Sequence, residues 1–256
     1  MELVYSLGSD HWGAPTVARM WMVKDIAAHI LDVQCRRLSF QRDGSPMPSS
    51  PKSDETLVDF LNRLNAEWVA AFRRVGPNLI IEMLEVVGPQ LAEFFESLDP
   101  MEEAFLPVAW AGEEKSANWM DVGRDFTELW HHQAQIRLAV GASPLADDSY
   151  MTPLYQLAVL ALPVTLRSIQ RDAGAVVSLT ITGPGAGSWN LRSEGSRWSI
   201  SSGNHKDVEA VVQIDGQIAW KIFFNAIHPI DARELVAASG DEELINQVLR
   251  TRSVMV

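Results

Sequence analysis

The spacing of apolar residues changes character near the middle of this 256-residue chain. Up to about residue 140, apolar residues recur every three or four positions, which is the period of an amphipathic helix. Between residues 176 and 215, apolar and polar residues alternate, as they do in strands that are buried on one face. The change predicts an all-helical region followed by an α+β region.

The helical half predicts a bundle of four long helices. They cover residues 21–38, 53–72, 77–95 and 118–140. Gly76-Pro77 ends the second helix and begins the third, because proline suits the first turn of a helix. Gly88-Pro89 lies within the third helix and predicts a kink or a break there.

The second half predicts a helical stretch over residues 151–172, followed by strands and short helices. The strand segments are VVSLTI, SWNLRS, RWSISS and AVVQID, and the helical segments are QIAWKIFF, DARELVAA and EELINQVL. We expect the four strands to form an antiparallel meander. The composition shifts near residues 145–150, so we expect two domains that comprise residues 1–147 and 148–256.

Composition excludes several classes of partner. The formal net charge of -12 repels phosphate backbones, and no local basic patch offsets it, so we expect no nucleic-acid partner. The single cysteine, Cys35, excludes an intrachain disulfide and a thiolate metal cluster, and we expect it to be a buried thiol. We find no secretory signal and no apolar stretch long enough to span a bilayer, so we expect a cytoplasmic protein without a membrane partner.

Three residues form a candidate metal site. Glu128 and His132 are four residues apart on the last predicted bundle helix, so they share one face and could bind one cation. His131 points about 100° away from that face. His29, on the first predicted helix, is the best candidate for the third ligand. Two histidines and one glutamate leave an open coordination position, as catalytic zinc sites do.

Two alternatives explain the same residues without a metal. Glu128 and His132 could be an ordinary solvent-exposed pair, and Asp121 and Asp125 on the same face favour that interpretation. His29 could be a core histidine with its hydrogen bonds satisfied. If a metal does bind, aspartates are candidates to hold the imidazole rings, and they are Asp25, Asp32, Asp121 and Asp125.

Two segments resemble signatures of the DinB-like superfamily, in the branch of mycothiol-dependent maleylpyruvate isomerases. WMVKDIAAHILD resembles the first signature, with Met22 where serine or threonine is usual, and GRDFTELWHHQAQIRLAVG resembles the second. PVAWAGEEKSANWMD resembles actinobacterial members of this branch. DGQIAWKIFFNAIHP and GDEELINQVLR are similar to the family's second domain, a sterol-carrier-protein-2-like α+β fold.

The resemblance implies a DinB-like four-helix bundle that holds a divalent metal through His29, Glu128 and His132, which favours His132 over His131. Zinc is the first expectation, and nickel and iron also accept these ligands. The family also implies mycothiol as the thiol cosubstrate. Members usually carry a long helix before the tryptophan signature, whereas only 20 residues precede Trp21 here, so that helix is expected to be truncated or absent. Three arginines are candidate catalytic helpers, and none is assigned: Arg63, Arg73 and Arg137.

The function expected from the resemblance is a metal-dependent thiol transferase or isomerase, in which the metal activates a small thiol that adds to an electrophile. One alternative is a non-catalytic protein that binds a lipid or another small molecule and whose metal is structural or vestigial. A second alternative is an interaction module that forms a homodimer through an apolar face of the bundle.

Overall fold

The computed structural model describes residues 1–47, 50–201 and 208–254. In the N-terminal part, the helices are α1 (Glu2–Tyr5), α2 (Val23–Arg36), α3 (Leu57–Phe72), α4 (Pro77–Glu96) and α5 (Asn118–Val140). A π-helical turn over Arg37–Arg42 directly extends α2. The four long helices α2 to α5 confirm the predicted helical region. The helix before Trp21 is short, as expected, since α1 has four residues.

The C-terminal part is an α+β region, as predicted. Its helices are α6 (Asp148–Ala158), α7 (Leu162–Leu166), α8 (Gly216–Phe223), α9 (Pro229–Arg233) and α10 (Glu242–Leu249). Its strands are β1 (Val176–Thr182), β2 (Gly187–Ser193), β3 (Trp198–Ser201), β4 (Val208–Asp215) and β5 (Ala237–Gly240). None of the helices in the described residues combines the length and the apolarity needed to cross a membrane.

Local sequence explains where the long helices begin and end. At the start of α3, the Thr56 hydroxyl accepts a hydrogen bond from the backbone N–H of Asp59. At the end of α5, Gly141 adopts a left-handed conformation with φ 67°, which glycine reaches at little cost. Of the predicted kink or break at Gly88-Pro89, the break is wrong, because α4 continues through Pro89, and the kink stays a prediction. Proline there removes one backbone hydrogen bond without ending the helix.

Helix α2 begins with an unusual capping residue. Met22 occupies the N-cap position, where its side chain cannot accept a hydrogen bond from the first turn as a hydroxyl would. Asp25 compensates in part, because its Oδ2 accepts a hydrogen bond from the Met22 backbone N–H at 3.1 Å. The helix therefore has one half of a capping box.

The variant Met22→Thr is expected to raise the free energy of unfolding by about 1 kcal/mol, because a threonine hydroxyl at the N-cap satisfies one of the first N–H groups of α2. Met22 is half exposed, so the substitution removes little apolar packing. Chemical denaturation of both proteins measures the difference. Met20→Thr is the matched control, because Met20 is 84% exposed and lies outside the helix. Equal stabilisation by both variants would show that the cap is not the cause.

The sheet differs from the predicted meander. Its strand order is β3-β2-β1-β4-β5, and β4 pairs with β1 in parallel, while the other neighbouring pairs are antiparallel. The prediction of a four-strand antiparallel meander is therefore wrong in the partner of β4. It also omitted β5, whose residues Ala237–Gly240 belong in part to the predicted helix DARELVAA.

The described chain divides into two compact units. The first comprises Met1–Phe105, Ala117–Val122 and His132–Pro144, and the second comprises Leu106–Ser116, Gly123–His131 and Leu145–Val256. Helix α5 thus contributes residues to both units. The domain boundary between residues 147 and 148 stays a prediction.

Each unit has its own core. In the first unit, apolar residues of α2 and α4 pack together, among them Val23, Ile26, Leu31, Ile80 and Leu84. In the second unit, alternate residues of β1 and β4 are buried, and α8 and α10 pack against the sheet. Because α2 is buried over most of its length, its polar residues on the inner face, including His29, lie inside the bundle.

Candidate metal centre

Helices α2 and α5 bring the three predicted metal ligands together. Glu128 and His132 lie one turn apart on α5, so the helix itself fixes their relative position. His29 lies on α2, in the same compact unit as His132. One ligand atom from each of the three residues lies within 4.8 Å of the others.

The donor set fits a zinc-like divalent ion. It offers two imidazole nitrogens and one carboxylate oxygen, and the two histidine rings are 4.7 Å apart between centroids at an angle of 80°. Ligand atoms around a tetrahedral zinc ion lie about 3.4 Å apart, so small side-chain rotations are enough to bring these atoms onto one ion. Three protein donors leave a fourth position for an exogenous ligand.

Burial excludes the alternative of a solvent-exposed pair. His29 and His132 are both buried, and Glu128 is partly buried. Asp121 and Asp125, which favoured a solvated face in the sequence, are only 2% and 8% exposed. A group of two buried histidines and a partly buried glutamate is costly unless its members are paired or bind a cation.

A hydrogen bond selects the nitrogen that His132 can offer to a metal. Its Nδ1 lies 3.0 Å from Oε1 of Gln135, and an amide oxygen only accepts, so Nδ1 donates. Nε2 is then the nitrogen that His132 can offer to a metal. The sequence analysis missed Gln135, although its position three residues after His132 on the same helix could have indicated the contact.

Trp21 packs against both histidines of the cluster. Its ring lies 4.7 Å from that of His29 and 6.2 Å from that of His132, between centroids. Trp21 precedes α2, so no helical spacing indicates this contact. The indole forms an apolar wall beside the two imidazoles.

His131 is buried and makes a different set of contacts. Its Nδ1 lies 2.9 Å from the carbonyl oxygen of Thr127, and its ring is stacked on Phe224 with centroids 5.1 Å apart. His132 is a histidine of α5 whose ring lies against that of His29, and its choice over His131 as a metal ligand stays a prediction.

The four aspartates proposed to hold the imidazoles each form an ion pair with an arginine. The pairs are Asp25–Arg73, Asp32–Arg36, Asp121–Arg37 and Asp125–Arg124. These arginines balance carboxylates that would otherwise be buried charges. A role of these aspartates beside the imidazoles stays a prediction.

Asp32 and Cys35 lie on α2 beyond His29, and their environment disfavours the charged forms of both. Burial raises the pKa of Asp32 to about 6, although the Arg36 guanidinium, 2.9 Å away, acts in the opposite direction. Burial, with the nearby Asp32 carboxylate, also raises the pKa of the Cys35 thiol. A thiol with a raised pKa is a poor nucleophile. Cys35 is only partly buried, so the expectation of a buried thiol is met in part.

The three candidate helper arginines take part in local contacts. Arg63 pairs with Glu55, and Arg73 pairs with Asp25. Arg137 donates to the Gln133 side chain and to the carbonyl oxygen of Ser143. These contacts favour structural roles, and no catalytic arginine is assigned.

A comparison with protein families decides the relationship of this chain to known proteins. The family model described as "Mycothiol maleylpyruvate isomerase N-terminal domain" matches residues 1–137, which is more than half of the chain. The chain belongs to this family. The match includes His29, Glu128 and His132. A comparison with curated proteins found no significant match.

Solved structures show that the fold is shared along nearly the whole chain. Two crystal structures of the mycothiol-dependent maleylpyruvate isomerase, one of them a histidine-to-alanine mutant, are similar with TM-scores of 0.54 and 0.55. Their sequence identities are 13% and 11%, and each match covers 94% of this chain and 87% of the other. At such identities the likeness shows the fold and leaves the activity to other evidence.

Proposed function

We propose that this protein is a divalent-metal-dependent thiol transferase or isomerase that uses a small thiol of the mycothiol type. The observation that carries the proposal is the convergence of His29, Glu128 and His132, in a chain that belongs to a family named for a mycothiol-dependent isomerase. We propose zinc as the metal, because two imidazoles and a carboxylate with an open position suit it.

Each residue of the cluster would have a separate role in such a site. A divalent metal bound there would lower the pKa of a thiol in the open position and so favour the nucleophilic thiolate. His29 and His132 would hold the ion, and Glu128 would offset part of its positive charge. Gln135 orients the His132 ring through the hydrogen bond to Nδ1, and Trp21 packs against the two rings.

The substrate class follows from what a thiolate can do. Addition of a thiolate sulfur to the double bond of an unsaturated carbonyl compound forms a carbon–sulfur bond and moves the electron pair of the double bond onto the carbonyl group as an enolate. Rotation about the resulting single bond and expulsion of the thiolate restore the double bond in the other geometry, which completes a cis-trans isomerisation. Protonation of the enolate, with the carbon–sulfur bond retained, gives the thioether, which is a transferase reaction. We therefore propose an unsaturated, carbonyl-bearing small molecule as the electrophile.

Two further expectations belong to this proposal. The protein is cytoplasmic, and it has two domains, which comprise residues 1–147 and 148–256.

Replacement of either histidine is expected to abolish stoichiometric metal binding. We expect His29→Ala and His132→Ala to weaken zinc binding by more than about a hundredfold, because even changes outside the ligand set cost about 10- to 100-fold. Elemental analysis of the purified proteins and zinc titration measure the effect. The control is His11→Ala, which removes an exposed histidine. Circular dichroism checks that all three variants are folded.

Two results would contradict the proposal. One is a wild-type protein that binds no zinc when the metal is supplied. The other is full retention of zinc in both histidine variants, since the metal would then bind elsewhere. An apolar ligand that co-purifies with a metal-free protein would favour the non-catalytic alternative.

A further inference from the structure

The ring of His131 is fixed on one edge by a backbone carbonyl. Its Nδ1 lies 2.9 Å from the oxygen of Thr127, within the same turn of α5. A carbonyl oxygen only accepts hydrogen bonds, so Nδ1 carries the hydrogen and donates it. His131 is 4% exposed and Thr127 is fully buried, so solvent competes little for this bond.

The plane of the same ring is fixed by an aromatic partner. Phe224, the residue directly after α8, stacks on His131 with an interplanar angle of 3°. Phe224 is 2% exposed, and the next residue, Asn225, has a φ of 55°, a turn conformation that ends α8. His131, Thr127 and Phe224 all belong to the second compact unit, so the contacts form one packed group.

The remaining edge of the ring faces a ligand of the candidate metal site. Nε2 of His131 lies 4.0 Å from Oε2 of Glu128. The fixed ring of His131 therefore borders the Glu128 carboxylate at this edge and limits the orientations open to it.

We propose that His131 is a positioning residue for Glu128: held by Thr127 and Phe224, it orients the carboxylate toward the other two ligands. This inference rests on the proposed function, since it assigns a role at the same metal site. Groups just outside a ligand set commonly fix ligand orientation in this way, and their loss weakens metal binding by about 10- to 100-fold.

The test uses cobalt(II), whose visible absorption bands report the ligand geometry. The variant His131→Phe keeps the aromatic stack on Phe224 and removes the ring nitrogens. We expect its cobalt dissociation constant to rise by about 10- to 100-fold and its absorption bands to shift. The variant His131→Gln places a polar group near the position of Nε2, and we expect it to recover part of the affinity. The matched control is His11→Phe, at an exposed histidine.

The possible results separate this inference from the proposed function. Wild-type affinity and unchanged bands in His131→Phe, with binding lost in His29→Ala, overturn the inference and leave the proposed function intact. Absence of cobalt and zinc binding in the wild type overturns both. If His131→Phe fails to fold, His131→Gln and Phe224→Leu decide: unchanged cobalt affinity and bands in both contradict the role, and weaker binding in both supports it.

Discussion

The variant Asp121→Ala is expected to lower the free energy of unfolding by about 3–5 kcal/mol, because it leaves the buried Arg37 guanidinium without its carboxylate. The two side chains form a bidentate ion pair, with Nη1–Oδ2 and Nη2–Oδ1 distances of 2.8 and 2.7 Å. The Arg37 and Asp121 side chains are only 5% and 3% exposed, so water cannot readily solvate the guanidinium once its carboxylate is removed. The pair joins the π-helical extension of α2 to the first turns of α5. Urea denaturation measures the loss.

Two further variants test the cause of that loss. Glu242→Ala breaks the exposed pair with Arg233, whose side chains are 62% and 33% exposed, and is expected to cost no more than about 1 kcal/mol. The double variant Arg37→Met/Asp121→Leu removes both buried charges and should recover much of the stability, because no charge then remains unpaired. If Asp121→Ala costs no more than Glu242→Ala, the buried pair does not stabilise the bundle.

The helical half of the fold was predictable because its signals are local. The apolar stripe and Gly141 predicted a helix over residues 118–140, and α5 spans Asn118–Val140. A helical stripe of this length buries one face whatever the partner is, so the element forms in the predicted place. By contrast, Gly88-Pro89 is a local breaking signal that the packing of α4 overrides, since Leu84 and Leu91 are buried on either side of it.

The sheet was harder to predict because strand pairing is not local. Alternation in β4 indicates one buried face, but it is the same for a parallel and for an antiparallel neighbour. The segment Ala237–Gly240 consists of small residues that carry no strand signal, and it becomes β5 through pairing with β4. Gly240, with a φ of 103°, lies directly against the backbone of Glu209, where a larger residue would collide.

In the candidate site, too, the local signals were predictable from the sequence, whereas contacts between distant segments were not. Helical spacing identified Glu128 and His132, and the position of His29 on the first predicted helix made it the best candidate for the third ligand. The family resemblance favoured His132 over His131, and the structure brings one ligand atom of His29 within 4.8 Å of those of the other two residues. Contacts between distant segments had no signal in the sequence. Arg37 and Asp121, for example, are 84 residues apart.

The second large effect is expected in catalysis. The zinc-loaded wild type should accelerate addition of mycothiol to an unsaturated acid such as maleylpyruvate, and Glu128→Ala should lower that rate by at least about a thousandfold. Charge stabilisation by a metal supplies several kcal/mol, and each 1.36 kcal/mol changes a rate tenfold, so loss of the metal accounts for the magnitude. The rate of thiol consumption, together with chromatographic separation of the isomeric acids, measures both chemical outcomes.

Removal and return of the metal identify the origin of that effect. Chelation should reduce the wild type to the rate of Glu128→Ala, and added zinc should restore the wild type but not the variant, because only the wild type has all three donors. Glu93→Ala is the matched control, since Glu93 is an exposed glutamate on α4. A Glu128→Ala variant that keeps the full rate while it holds no zinc would separate the chemistry from the metal. Product analysis then distinguishes the two reactions proposed: an isomerase returns free mycothiol with the isomeric acid, whereas a transferase yields the thioether.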